Sequence, residues 1–163
     1  MKDSRLFCPR SMRRNKLVMI SGVFDLFHAG HIYLIQDGLG QVKHLKWTTG
    51  HEPINVDCIM AINSDLSVKR LKGPDRPIMN QDARRLTLLG IKGVDEVVIF
   101  NELTPEKIVK KYQPDYYIKG HEYREHELPE ITALKYNIKV IYVDTTGYPH
   151  TSDIINKIKN SKT

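Results

Sequence analysis

The segment Leu17-Val18-Met19-Ile20-Ser21-Gly22-Val23-Phe24-Asp25-Leu26-Phe27-His28-Ala29-Gly30-His31 changes character midway. Its first half is a near-continuous apolar run, as expected of a strand covered on both faces. A glycine-containing turn follows, and then a helix opens with two histidines three residues apart. Positions i and i+3 lie on one helical face. At a helix N-terminus their ring nitrogens join unpaired backbone N–H groups and the positive end of the dipole. Gly30, between them, removes a side chain where a ligand would approach the backbone. Together these features make an anion site suited to phosphate oxygens. Two other readings stand beside it. The histidines could ligate a metal, although no third ligand lies at a convincing spacing, or each could be satisfied by a backbone carbonyl.

Further apolar, β-branched segments follow at intervals that suit alternating strands and helices. Residues 17–23 (LVMISGV), 57–63 (DCIMAIN), 94–100 (VDEVVIF), 116–119 (YYIK) and 138–144 (IKVIYVD) read as strands. Residues 29–37, 80–89, 104–111, 125–136 and 152–159 read as helices, with Thr104-Pro105-Glu106 as a start signal and Ser152 or Asp153 as the last cap. Five strands alternating with helices predict an α/β fold, a Rossmann-like, doubly wound five-stranded parallel sheet. Ligands of such sheets sit beyond the carboxyl ends of the strands, where strand order reverses. Residues 22–31, 63–76, 120–123 and 145–152 are therefore the places to look for chemistry. Residues 38–56, carrying His44, Trp47 and His51, read as an irregular insertion: a surface loop, a lid or an oligomer contact.

The chain has 163 residues, one domain's length, with 40% hydrophobic and 27% charged residues, which argues against disorder. No apolar run approaches the roughly 20 residues that cross a bilayer. Two cysteines make no disulfide framework, and the basic N-terminus lacks a secretion signal's apolar stretch, so a cytoplasmic location is expected. The net charge is +6. Residues 1–16 form a basic extension to a domain over 17–163, with Arg10, Arg13, Arg14 and Lys16 clustered in it. That cluster reads as a solvated terminus before it reads as a nucleic-acid contact.

Gly22–His31, GVFDLFHAGH, resembles the signature of the HxGH nucleotidyltransferases, the cytidylyltransferase-like superfamily. The likeness extends over almost the whole chain from Leu17. Asn63-Ser64-Asp65 followed by KRLKGPDRP (69–77), Arg84 on the next helix, Ile118-Lys119-Gly120-His121-Glu122-Tyr123 and Thr151-Ser152-Asp153-Ile154-Ile155 are similar to the adenylyltransferase domain of ADP-heptose synthases. The resemblance implies transfer of a nucleoside monophosphate to a phosphorylated small molecule, with release of pyrophosphate. ATP and a sugar 1-phosphate such as heptose 1-phosphate are the expected substrates. CTP with glycerol 3-phosphate is the alternative, and a non-catalytic nucleotide-binding regulator is the alternative of another class. Mg²⁺ is expected to accompany the triphosphate, without a dedicated protein metal site, and a homodimer is expected.

Two anions must be aligned and neutralised in that reaction, and no covalent nucleophile is required. The resemblance implies that His28, His31 and Lys72 carry catalysis. Gly22, Val23, Phe24, Asp25, Gly30, Gly120, Thr151 and Ser152 would hold the nucleotide, and Asp65, Arg76 and Arg84 the acceptor. Each has a plainer role open to it: Lys72, Arg76 and Arg84 as solvated charges, Asp25 as a brace of the turn, Asp65 as a helix cap, Gly120 as a turn glycine. The chain departs from the family pattern at His121-Glu122, where Gly-Asp is usual. It also lacks the arginine that cytidylyltransferases often place before the final helix, where His150 now stands.

Overall fold

The computed structural model describes residues 9–45, 55–125, 128 and 137–161. Its elements in chain order are β1 (Lys16–Gly22), α1 (Ala29–His44), β2 (Val56–Asn63), α2 (Asp65–Lys72), α3 (Gln81–Leu89), β3 (Glu96–Phe100), α4 (Glu106–Tyr112), β4 (Tyr116–Gly120), β5 (Lys139–Val143) and α5 (Thr151–Asn160). The five strands pair in the order β3-β2-β1-β4-β5, all parallel. Strand order reverses at β1, between β2 on one side and β4 on the other, so the turn leaving β1 opens at the crevice expected to hold ligand.

The continuous apolar character of β1 has a direct cause. Val18 and Ile20 face a cluster with Ile35, Leu39 and Val42 of α1 and Leu88 of α3. Leu17 and Met19 face the other side, with Val109 and Tyr112 of α4 and Tyr117 of β4. Both faces of the strand are buried, so no polar alternation survives. Among the described residues, no helix is long and apolar enough to cross a membrane.

Several element boundaries differ from expectation. Helix α1 does not stop at Asp37 but runs to His44, so residues 38–44 are not irregular. Gly38 and Gly40 look like breakers in sequence. Gly38 instead lies where a Cβ would come within 2.7 Å of Ile118 Cγ2, so glycine is what lets the helix lie this close to β4. Residues 46–54, with Trp47 and His51, fall outside the described residues, as does most of the expected helix over 125–136. Helix α4 begins at Glu106 with Pro105 at its cap and no side-chain cap from Thr104. Helix α5 is preceded by His150 as N-cap, not by Ser152 or Asp153, and the His150 amide donates to Asp153 Oδ2 at 2.9 Å. Lys72 belongs to the last turn of α2, not to a loop.

The basic N-terminal cluster is partly clasped to the domain. Arg13 donates through Nη1 to Gln113 O at 3.1 Å and through Nη2 to Tyr112 O, placing its charge at the C-terminal end of α4, where the helix dipole favours a cation. Lys16 Nζ lies 3.1 Å from Asp115 Oδ1. Cys58 is buried in the sheet, and burial pushes its thiol up to about 12, so it is inert.

Candidate active site at the sheet's switch point

The turn between β1 and α1 is held open in an unusual backbone conformation. Phe24 and Leu26 adopt φ values of 53° and 44°, a left-handed region that costs an L-residue about 1 kcal/mol or more. Asp25, 1% exposed, is the residue between them and fixes the turn. Its Oδ1 accepts from the amides of Met79 at 2.8 Å and Leu26 at 3.1 Å. Its Oδ2 accepts from the Ile78 amide and from Arg76 Nε, each at 2.8 Å. Burial alone would raise this carboxyl. The Met79 and Ile78 amides and the Arg76 guanidinium outweigh it and hold the group below the ordinary carboxylate range. With all these donors converging on it, Asp25 braces the turn and has no oxygen to offer a nucleotide or its metal.

Arg84 is the second brace. It is 1% exposed, and its guanidinium donates to Met79 O (3.0 Å), Val23 O (2.7 Å), Asn63 O (2.9 Å) and Asp65 Oδ1 (2.8 Å). It therefore ties the ends of β1 and β2 to the loop before α3, and it does not reach an acceptor. Asp65 is its partner, at the first position of α2 behind the Ser64 cap, whose hydroxyl accepts from the Ser67 amide at 3.2 Å. Neither Asp65 nor Arg84, expected beside the acceptor, lines the two cavities of the cleft, and both are engaged in this brace. The reason is geometric: a three-residue turn bent into left-handed backbone exposes carbonyls that need buried donors.

The other expected site residues do converge. Two adjoining cavities, of about 240 and 160 Å³, share His31, Lys72, Arg76, Gly120 and Thr151 as lining residues. His28, Gly30 and Ser152 line the first, and Gly22, Val23, Phe24 and Asp25 the second. The walls are the N-terminal ends of α1 and α5, joined where Thr151 Oγ1 donates to Asp25 O at 2.8 Å. That bond commits the Thr151 hydroxyl hydrogen, so this residue serves the cleft through its backbone amide, one of the unpaired donors of the first turn.

The two histidines are stacked, with ring centroids 3.7 Å apart. His31 Nδ1 accepts from the His28 amide at 3.4 Å, which leaves Nε2 as the protonated nitrogen of the neutral ring. Burial, then the charges of His28 and Lys72, push His31 down to about 3. Burial and His150 also lower His28, whose Nδ1 is buried without a hydrogen-bond partner among the described residues. Burial and Arg76 lower Lys72. Bases that depress one another across a cleft mark a place where negative charge is stabilised on arrival. Gly30 is needed here for space: a Cβ would lie 3.0 Å from Tyr148 Cβ and 3.1 Å from His28 Cε1.

Other lining residues had weaker signals in sequence. Glu122 and His150 were visible only as departures from a pattern. The Glu122 carboxylate lies over Gly120, where an added Cβ would overlap it. Lys119 sits 4.9 Å from the Tyr123 ring centroid and 5.5 Å from that of Tyr117. Tyr148, stacked on Tyr33 of α1 at 4.9 Å, had no signal at all, because the contact joins positions far apart in the chain. Among the described residues no group of three or more His, Cys, Asp or Glu side chains converges as a metal site.

A family model described as cytidylyltransferase-like matches residues 19–161. The protein named bifunctional protein HldE of Campylobacter concisus is 36% identical over 149 residues, and that of Vibrio parahaemolyticus is 35% identical over 153. These alignments cover 91% and 92% of this chain but 28% and 29% of those relatives, so the chain spans under a third of their length. Among solved structures, the lipopolysaccharide core biosynthesis protein of Thermoplasma volcanium aligns with a TM-score of 0.57 and 24% identity, covering 79% of this chain and 96% of that one. A protein of unknown function from Archaeoglobus fulgidus gives 0.53 at 18% identity, over 78% and 97% of the two chains. These two share the fold.

Proposed function

Since the chain belongs to the cytidylyltransferase-like family of nucleotidyltransferases, we propose that it transfers the nucleoside monophosphate of ATP to a sugar 1-phosphate. The observation that carries this reading is the cleft itself, where two helix N-termini, two stacked imidazoles, Lys72 and Arg76 surround one space. The likeness of residues 63–77 and 118–123 to the adenylyltransferase domain of ADP-heptose synthases favours adenylyl transfer. The cytidylyl alternative keeps support from the family description.

In the reaction, an oxygen of the acceptor phosphate attacks the α-phosphorus of the triphosphate, and the bond to the bridging oxygen breaks to release pyrophosphate. Negative charge grows on the α-phosphoryl oxygens and the departing bridge. His31 offers its Nε2 proton, and Lys72 a point charge, to that growth. The unpaired amides of the first turn of α1 hold the same oxygens, and those of Thr151 and Ser152 hold the distal phosphates. Arg76, bound to Asp25 through Nε and with Nη2 2.8 Å from Asp25 Oδ2, has Nη1 left to offer a phosphate. The site residues fit Mg²⁺ that arrives on the triphosphate, because Asp25 is saturated and, among the described residues, no carboxylate cluster competes for it. That ion would screen the triphosphate's charge.

Pyrophosphate release tests the proposal, with Mg²⁺, four nucleoside triphosphates and a panel of heptose and hexose 1-phosphates, glycerol 3-phosphate and phosphocholine. Release with ATP and a sugar 1-phosphate alone is the expected result. Release with CTP and glycerol 3-phosphate would move the assignment to the alternative.

A further inference from the structure

We propose that Lys119 seats the phosphate of the acceptor, a phosphate monoester, and that the second cavity of the cleft is the acceptor's place. The proposal rests on the nucleotidyl-transfer reading above and adds to it the side chain that separates the acceptor's phosphate from the triphosphate.

The two cavities divide the basic side chains unevenly. Lys72 and Arg76 line both, together with His31, so these three stand at the junction. Lys119 lines the second cavity and not the first. Lys72, Arg76 and Lys119 there face two carboxylates, Asp25 and Glu122. Asp25 is already occupied by four hydrogen bonds, so positive charge prevails and the lining favours an anion. A lysine brings a compact point charge, which suits a phosphate monoester.

The strand explains why Lys119 serves only this cavity. Successive residues of a strand point to opposite faces of the sheet. Ile118 of β4 packs on the face covered by α1, with Ile35 and Leu39. Tyr117 packs on the other face, with Leu17 and Met19. Lys119, two residues on, shares the face of Tyr117, away from the helix that carries the histidines. Its Nζ lies 5.5 Å from the Tyr117 ring centroid and 4.9 Å from that of Tyr123, so two rings fix where the ammonium stands. The Tyr117 hydroxyl is hydrogen-bonded to Oγ of Ser21, which lines the same cavity and ties that ring to β1.

In-line displacement gives the two cavities different tasks. The attacking oxygen and the departing bridge stand on opposite sides of the α-phosphorus. The first cavity lies between the N-termini of α1 and α5, whose amides suit the triphosphate, so pyrophosphate departs on that side. The attacking oxygen then arrives from the second cavity, across the junction of His31, Lys72 and Arg76. As it bonds to the α-phosphorus, the bond to the bridging oxygen breaks and its electron pair leaves with pyrophosphate. Lys119 forms no covalent bond and transfers no proton. Its charge holds the acceptor phosphate within reach and offsets the repulsion between two anions.

The experiment measures KM for the acceptor and for the triphosphate, each with the other saturating, in wild type, Lys119→Met and Lys119→Arg. The acceptor is the phosphorylated small molecule with which the wild-type enzyme releases pyrophosphate. Methionine keeps an unbranched apolar stem between the two tyrosines, and thermal unfolding followed by circular dichroism checks the fold. In Lys119→Met the acceptor KM should rise about 10–100-fold, as expected for loss of a hydrogen bond between charged groups. The triphosphate KM and kcat should stay within about twofold, because the lost interaction is made equally before and during transfer. Lys119→Arg should recover most of the acceptor affinity. Inorganic phosphate, competing with the acceptor, should lose potency in Lys119→Met by a similar factor. An unchanged acceptor KM overturns the proposal. So does an equal rise in both KM values, a rise confined to the triphosphate, or an Arg variant no better than Met. In each of these cases the wild-type turnover leaves the transfer reading standing. A wild-type protein that releases pyrophosphate with no pair of substrates overturns both.

Discussion

The brace around Asp25 and Arg84 and the cleft around His28 and His31 are made of the same kinds of residue, share the turn after β1, and end in opposite states. In the brace Asp25 receives four hydrogen bonds and Arg84 donates four. In the cleft His28 Nδ1 is buried without a partner among the described residues, and neighbouring bases lower His28 and His31. A charged residue whose bonds are all closed holds structure. One whose bonds are open holds something that comes and goes. The two depend on each other, because the strained turn that aims the cleft persists only while the brace fixes it.

The largest expected effect separates the two by readout. His31→Ala, and likewise His28→Ala, should cut turnover by about 10²–10⁴-fold with the fold intact by circular dichroism. Near-normal turnover in both variants would remove the cleft's claim to catalysis. Arg84→Met should do the reverse first, costing about 3–5 kcal/mol in urea unfolding, because Asp65 and three carbonyls lose their donor. If Arg84→Met were instead fully stable and inactive, Arg84 would belong with the cleft.

Acid unfolding sharpens the comparison, because the two regions titrate in different windows. The unfolded His31 takes a proton near its ordinary value of 6.5 and the folded one only near about 3. Stability therefore falls as pH drops between those values. Asp25 has a folded value below its ordinary 3.8, so its contribution is complete above 3.8 and is lost as pH falls further. His31→Ala should flatten the upper window and Asp25→Asn the lower one, read from urea midpoints at successive pH values. A single variant that flattens both would mean that the regions are one cooperative unit.

The smallest effects concern the helix that carries the histidines. Gly38→Ala should cost about 1–3 kcal/mol, since its Cβ would press on Ile118. Gly40→Ala, with nothing within 4 Å of the added carbon, should stabilise by about 0.5–1 kcal/mol. Thermal unfolding of the pair checks whether the helix seat or helix propensity governs this stretch.

Much of this was legible in the chain. The apolar run of β1, the glycine turn and the two histidines gave strand, turn and helix N-terminus, because hydrophobic period and capping chemistry are local. Five β-branched segments gave the parallel sheet, and the carboxyl-end rule then placed His28, His31, Lys72, Arg76 and Thr151 at one edge. What could not be read was which polar residue closes on which. Arg84 and Arg76 look alike in sequence, yet one is spent on three carbonyls and Asp65, and the other keeps a face on the cleft. Gly38 reads as a helix breaker until Ile118 of β4 is seen against it, and Tyr148 is silent until Tyr33 stacks on it. Local patterning and motif spacing therefore determined the fold class and the address of the site. Only the tertiary structure decided the division of labour there, because hydrogen-bond saturation and steric clearance are set by partners distant in the chain.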